Sequence, residues 1–312
     1  MTLTPVIAAV LLATQPVPDS SPPEETGLTV SEVESVTIYG RALEEAAEAF
    51  VDQVTEVPRG TRLARWNRPV CISISNMQPR YAQYIIDRIA LTALELDIEV
   101  GEPGCSPNVI IFATADGNAL AERLVSETGY GFRPADHSTD LGRQALRDFQ
   151  TTDRPVRWWN VVMPVTLDTG DRAITLRGET QLNPEVPLAV RVRDGSRLRS
   201  NIRYDMAWTI VIVDMTRVGD VSLAALADYV GMVSLAQVDP QADVSSQETV
   251  LNLFAEGQTG SGLTGWDRDY LTALYRAPND RADGGRQQDG VEHFLVRERR
   301  QANDAEAAPR DE

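Results

Sequence analysis

At 312 residues, with 42% hydrophobic and 24% charged side chains, the chain has the size and composition of a globular protein that can bury a real core. Its formal net charge of -17 argues against nucleic acid as a partner, because phosphate binding needs a basic face. All 29 basic residues are arginine, which excludes a Walker A loop, a pyridoxal Schiff base and a serine–lysine acyl enzyme, each of which needs a lysine amine.

Val6 to Leu12 is an unbroken apolar run followed by a polar, Pro-rich stretch from Pro16 to Thr26. It reads as the core and exit of an export signal, although no basic residue precedes it. The run is far shorter than the roughly 20 residues a membrane span takes. Arg41 to Val54 has apolar residues at helical spacing (Leu43, Ala46, Ala47, Phe50, Val51, Val54). Pro69 to Ile74 reads as a short strand. Pro79 to Leu96 reads as a helix with proline in its first turn and a stripe of Tyr81, Ile85, Ile89, Ala93 and Leu96. The continuous apolar strand Asn108 to Ala113 suits a buried parallel position, so strand, helix and strand suggest a crossover unit. A helix from Gly117 to Val125 leads into a polar region, 126–155, that reads as irregular.

The middle, 156–213, is β-rich: Val156 to Leu167, Ala173 to Arg177, Leu188 to Arg193 and Ala207 to Val213 read as strands, with Asp194-Gly195 as a hairpin turn. Ser222 to Ala236 is apolar nearly all round and predicts a buried helix. A polar, Gly-rich loop covers 241–266, and a last helix runs from Gly265 to Tyr275. Residues 279–312 are charged and poor in core residues, which predicts a disordered tail. Cys71 and Cys105, 34 positions apart beside two predicted strands, form a disulfide if the chain is exported, and are otherwise two buried thiols.

Ala207 to Tyr275 carries a resemblance. An apolar strand is followed by the helix Asp228-Tyr229-Val230-Gly231-Met232, then by Thr249-Val250-Leu251-Asn252, then by Leu263-Thr264-Gly265-Trp266-Asp267 and on to Leu274-Tyr275. This order resembles the catalytic half of zincin metallopeptidases, especially the metzincin layout. That family has a strand, a buried H-E-x-x-H helix, a methionine-bearing turn beneath the metal and a terminal helix. Zinc there needs two imidazoles at i and i+4 with a glutamate between them as general base. Here Asp228 and Met232 stand at the two ligand positions, Tyr229 at the base position and Leu251 at the methionine of the turn. The resemblance therefore implies a zincin-like α+β fold: a mixed sheet with packed helices, a buried former active-site helix and a C-terminal helix. It implies no zinc chemistry.

A hard carboxylate and a soft thioether make a poor zinc pair, and the only histidines are His137, in the polar region, and His293, in the expected tail. Asp228, a carboxylate on an apolar helix, calls for an arginine partner. Arg191, Arg193, Arg197, Arg199 and Arg203 alternate with other residues about the hairpin. They read either as a strip for an anionic ligand or as a charged, solvated sheet face. Trp158-Trp159 reads as core packing or a sugar-binding surface. No G-x-S-x-G elbow occurs, the glycines from Gly257 to Gly265 follow no strand, and spacing selects no carboxylate pair for glycoside hydrolysis.

The chain thus reads as a signal-like segment (1–26), one α+β domain (27–278) and a tail (279–312). The expected protein is exported to the periplasm or beyond, has no cofactor or metal, and binds a protein or envelope component without catalysis. The alternative is a metal-independent carboxylate hydrolase of polysaccharide or peptide.

Overall fold

The computed structural model describes residues 30–58, 61–133, 141–175, 188–189, 199–255, 262–281 and 283–307. The signal-like segment, His137, the Asp194-Gly195 turn and the glycines 257–261 lie outside the described residues. The chain divides into a unit ending at Gly40, of which the first turns of helix α1 (Val30–Val54) are described, and a unit from Arg41 to Glu312. The second unit carries everything that follows.

The fold is mixed α+β around a four-stranded sheet of order β1-β2-β6-β3. Strands β1 (Ile72–Ser75), β2 (Val109–Thr114) and β6 (Ile202–Asp214) run parallel. Strand β3 (Val156–Thr166) pairs antiparallel with β6 at the edge, with a register shift between Val161 and Val162. β4 (Ile174–Thr175) and β5 (Leu188–Ala189) form a separate two-stranded ribbon, and the rest of the strands expected to end at Arg177 and Arg193 lies outside the described residues.

Alternation along each strand divides the core in two. One face presents Val109, Ile111, Val211, Val213, Val156 and Trp158 to α2 (Pro79–Glu95) and α6 (Leu223–Leu235), which pack on each other. The other presents Ile210, Ile212, Trp159 and Val161 to α3 (Gly117–Glu127), α4 (Gly129–Phe132) and α5 (Gly142–Thr151). Helices α4 and α5 correct the expectation of an irregular region at 126–155. Phe132 and Phe149 are buried against Trp159 and supply the anchors that the polar composition hid.

Helix α2 starts with Pro79 in its first turn and buries Ala82, Ile85, Ile89 and Ala93. Tyr81, expected in that stripe, is exposed, because Ala82 takes the buried position a turn before Ile85 and Ile89. Helix α6 is buried on every side from Ala225 to Leu235, as its apolar composition requires. Ser222 caps it, its Oγ accepting from the Ala225 N–H at 3.1 Å. A 3-10 turn (Val250–Asn252) breaks the loop after α6, and α7 (Gly265–Arg276) follows.

The tail expected to be disordered is helix α8 (Gly284–Ala307), packed on α7. Val291, Leu295 and Val296 are buried, and Phe294 is partly buried beside them. Their i, i+4 spacing makes a narrow apolar stripe on an otherwise charged helix, which average composition conceals. Arg299 is fixed to Asp269 at 3.0 Å and lies 4.9 Å over the Trp266 ring. His293 is exposed on this helix.

Cys71 and Cys105 are joined by a disulfide with Cα atoms 6.0 Å apart. It fixes the loop between α2 and β2 to the start of β1. Among the described residues, no helix is long and apolar enough to cross a membrane.

Candidate functional site

The middle of α6 meets α2 at a single ion pair. Asp228 is only 3% exposed, and Arg88 of α2 grips it side-on. Arg88 Nη2 donates to Oδ2 at 2.8 Å, and Nε donates to Oδ1. The Leu263 N–H adds a third donor, to Oδ2 at 2.9 Å. Its hydrogen bonds to Asp228 hold the Arg88 guanidinium above its ordinary pKa. Gly262, at φ +122°, lies over the carboxylate, and a β-carbon there would collide with Asp228 Oδ2.

The neighbouring positions are packed as well. Tyr229 sets its ring edge-on against Trp158 (6.1 Å) and Phe254 (5.1 Å), and burial pushes its phenol pKa up. Met232 is wholly buried, and Leu251 of the 3-10 turn is half-buried against the same core. Three sides of Asp228 are therefore occupied by Arg88, by the backbone at Gly262–Leu263 and by the body of α6.

Asp267 holds the turn and α7 together beneath this helix. Its buried carboxylate accepts from Thr249 Oγ1 (2.6 Å), the Val250 N–H (2.8 Å), the Thr264 N–H (2.8 Å) and Thr264 Oγ1 (2.9 Å). Thr264 and Asp267 form the reciprocal cap of α7. At the far end of α7, the Tyr275 hydroxyl donates to the Leu235 carbonyl at 2.7 Å, while Trp66 Nε1 donates to Ser234 O at 2.8 Å. Helix α6, the 3-10 turn and α7 are thus one hydrogen-bonded block.

Asp228, Tyr229 and Met232 lie on α6 and Leu251 on the 3-10 turn of this block. The arginine strip is a different matter. Arg191, Arg193 and Arg197 lie outside the described residues. Arg199 pairs with Asp280 at 3.2 Å, and Arg203 pairs with Asp205 at 2.9 Å while donating to the Leu167 carbonyl at 2.7 Å. Its two described members are engaged within the chain. Trp158 and Trp159 are buried on opposite faces of the sheet, donating to the carbonyls of Val238 (3.1 Å) and Phe132 (2.7 Å). They are core residues and form no sugar platform.

Two features escape the sequence. Arg88 is 140 residues from Asp228, and its only local signal is an arginine at the border of the Ile85–Ile89 stripe. Glu56, after α1, lies near Asp239, after α6, where Thr55 and Val238 form a β-bridge. Burial and the adjacent carboxylate push Glu56 up to about 7. The cavities beside it measure only 30 and 20 Å³, room for one or two waters.

Among the described residues no group of three or more His, Cys, Asp or Glu side chains comes close enough to hold a metal. No protein-family model, no curated protein and no solved structure matches the chain.

Proposed function

We propose that the protein is a non-catalytic, exported binding protein on a degenerate metallopeptidase-like scaffold, with a protein or envelope component as its partner. One observation carries this reading: the arginine of α2 fills the position beside Asp228 that an ion would need. A guanidinium bound to both carboxylate oxygens supplies the positive charge, and the Leu263 N–H takes further acceptor capacity. Met232 and Tyr229 add no vacant ligand, one being wholly buried and the other wedged between aromatic rings. The order of β6, α6, the turn at Val250–Asn252 and α7 supports the resemblance to zincins, and Asp267 gives a physical reason for keeping that order without a metal. The disulfide supports export.

The test is zinc content together with peptidase activity. Protein purified from zinc-supplemented medium is expected to carry no zinc above background and to leave unfolded casein intact, with or without a chelator. Stoichiometric zinc with chelator-sensitive cleavage would overturn the reading.

The second reading, a metal-independent carboxylate hydrolase, draws support from the nearness of the Glu56 and Asp239 carboxyls, where burial and the neighbouring charge raise Glu56. The water-sized cavities beside it weigh against a bound substrate. Polysaccharide or peptide turnover that disappears in Glu56→Gln and Asp239→Asn would restore this reading.

A further inference from the structure

Among the described residues, the face of the sheet opposite α6 is covered over only part of its area. Beyond α3 and α4 it opens into a groove of 450 Å³, a volume within the range of ligand sites. Its apolar lining among the described residues includes Ile110 and Phe112 of β2, Trp208 and Ile210 of β6, Leu124 of α3 and Phe132 of α4. Ile110, Phe112, Leu124 and Trp208 are only partly buried, so apolar area stays in water inside a concavity.

The groove is held in shape by bonds that a ligand need not make. Trp208 Nε1 donates to the Gly131 carbonyl at 2.6 Å, which fixes the indole between sheet and α4. Asn108, at one wall, has both ends of its amide in use: Oδ1 accepts the Cys71 N–H at 2.7 Å and Nδ2 donates to Pro69 O at 2.9 Å. The Cys71–Cys105 bond ties down the loop leading to Pro107, which forms the same wall. A preformed site of this kind keeps the ordering cost of binding low.

One charged side chain stands at the groove. Arg68 is exposed, donates to the Ala207 carbonyl and lies 5.9 Å from the Trp66 ring centroid. Among the described residues it has no carboxylate partner, although the chain has 46 acidic residues against 29 arginines. An apolar trough ended by one cation has the polarity of an amphiphile with an anionic head. A sugar or nucleotide would need more donors and acceptors along the floor than this lining has.

We infer that this groove binds a free, medium-chain aliphatic carboxylate, with its tail along Ile110, Phe112 and Ile210 and its head at Arg68. The site lies across the sheet from Asp228, so the inference does not rest on the proposed function and fails or stands separately from it.

The experiment is calorimetric titration of the full chain with decanoate and with decanol, which has the same tail and no charge. Tryptophan quenching by a bromine-substituted decanoate is read in the wild type and in Trp208→Phe. Saturable one-to-one decanoate binding is expected, with decanol at least about tenfold weaker, the worth of a charge-assisted hydrogen bond. Arg68→Gln is expected to bring decanoate down to the decanol level, and Trp208→Phe to lose most of the quenching. Absence of saturable binding, equal affinity for decanoate and decanol, or decanoate affinity unchanged in Arg68→Gln would overturn the inference. So would binding to phosphatidylglycerol vesicles without binding to monomeric decanoate. Should Arg68→Gln fail to fold, the decanoate–decanol ratio in the wild type decides alone.

Discussion

The two faces of the sheet use the same strands and end differently. On one face, α6 is buried on every side, and the single charge it carries is met by Arg88. On the other, the short helices α3, α4 and α5 bury one cluster and leave the Trp208 groove beside it. The filled face is the one the sequence resemblance marks as a former catalytic site, and the open face is one to which no motif points. One sheet can therefore be closed by a buried helix on one face and offer concave apolar surface on the other.

The largest expected effect tests whether the filled face is one bonded block. Asp267→Ala removes an acceptor shared by four donors and orphans the buried Val250 N–H, so stability should fall by about 3–5 kcal/mol in urea unfolding. A loss under about 1 kcal/mol would show that the turn and α7 hold without it.

On the open face, replacing both Cys71 and Cys105 by serine should cost about 3–4 kcal/mol on the chain-entropy model. Unfolding under oxidising conditions, with the reduced wild type as reference, checks this. Equal stability of the double variant and the oxidised wild type would mean that the α2–β2 loop needs no covalent tie.

The smallest effect is a pH dependence beside the filled face. Glu56 is raised from 4.5 to about 7 in the folded protein, so the folded state holds its proton more tightly than the unfolded state does. Its contribution is fully present below pH 4.5 and is lost as pH rises through about 7. Glu56→Gln should flatten the decline in stability between those values, and the change is modest because the group is half exposed. Thermal midpoints across that window are the readout, and an unchanged slope would contradict the pairing with Asp239.

Much of this was legible in the sequence. The all-apolar Ser222–Ala236 stretch reads directly as a buried helix, and Thr264 with Asp267 three residues later reads as its partner's cap. The need for an arginine at Asp228 also follows from burying a carboxylate. Which arginine answers does not, since all 29 basic residues are of that type and the one that does is 140 positions away. Helix α8 was hidden because Val291 and Leu295 are diluted by charge, and the groove because Ile110 and Phe112 read like any buried strand residues. Pattern reveals which residues want burial; it does not reveal where the cover stops.

A double-mutant cycle at Arg88 and Asp228 tests the central claim most directly. Unfolding free energies of the wild type, Arg88→Met, Asp228→Asn and the combined variant give the coupling between the two side chains. If the guanidinium fills the site beside Asp228, the coupling should be at least about 1 kcal/mol, because each single change strands the other partner. Effects that add to within about 0.3–0.5 kcal/mol would contradict it, and would mean that Asp228 stands in the core of α6 without its arginine.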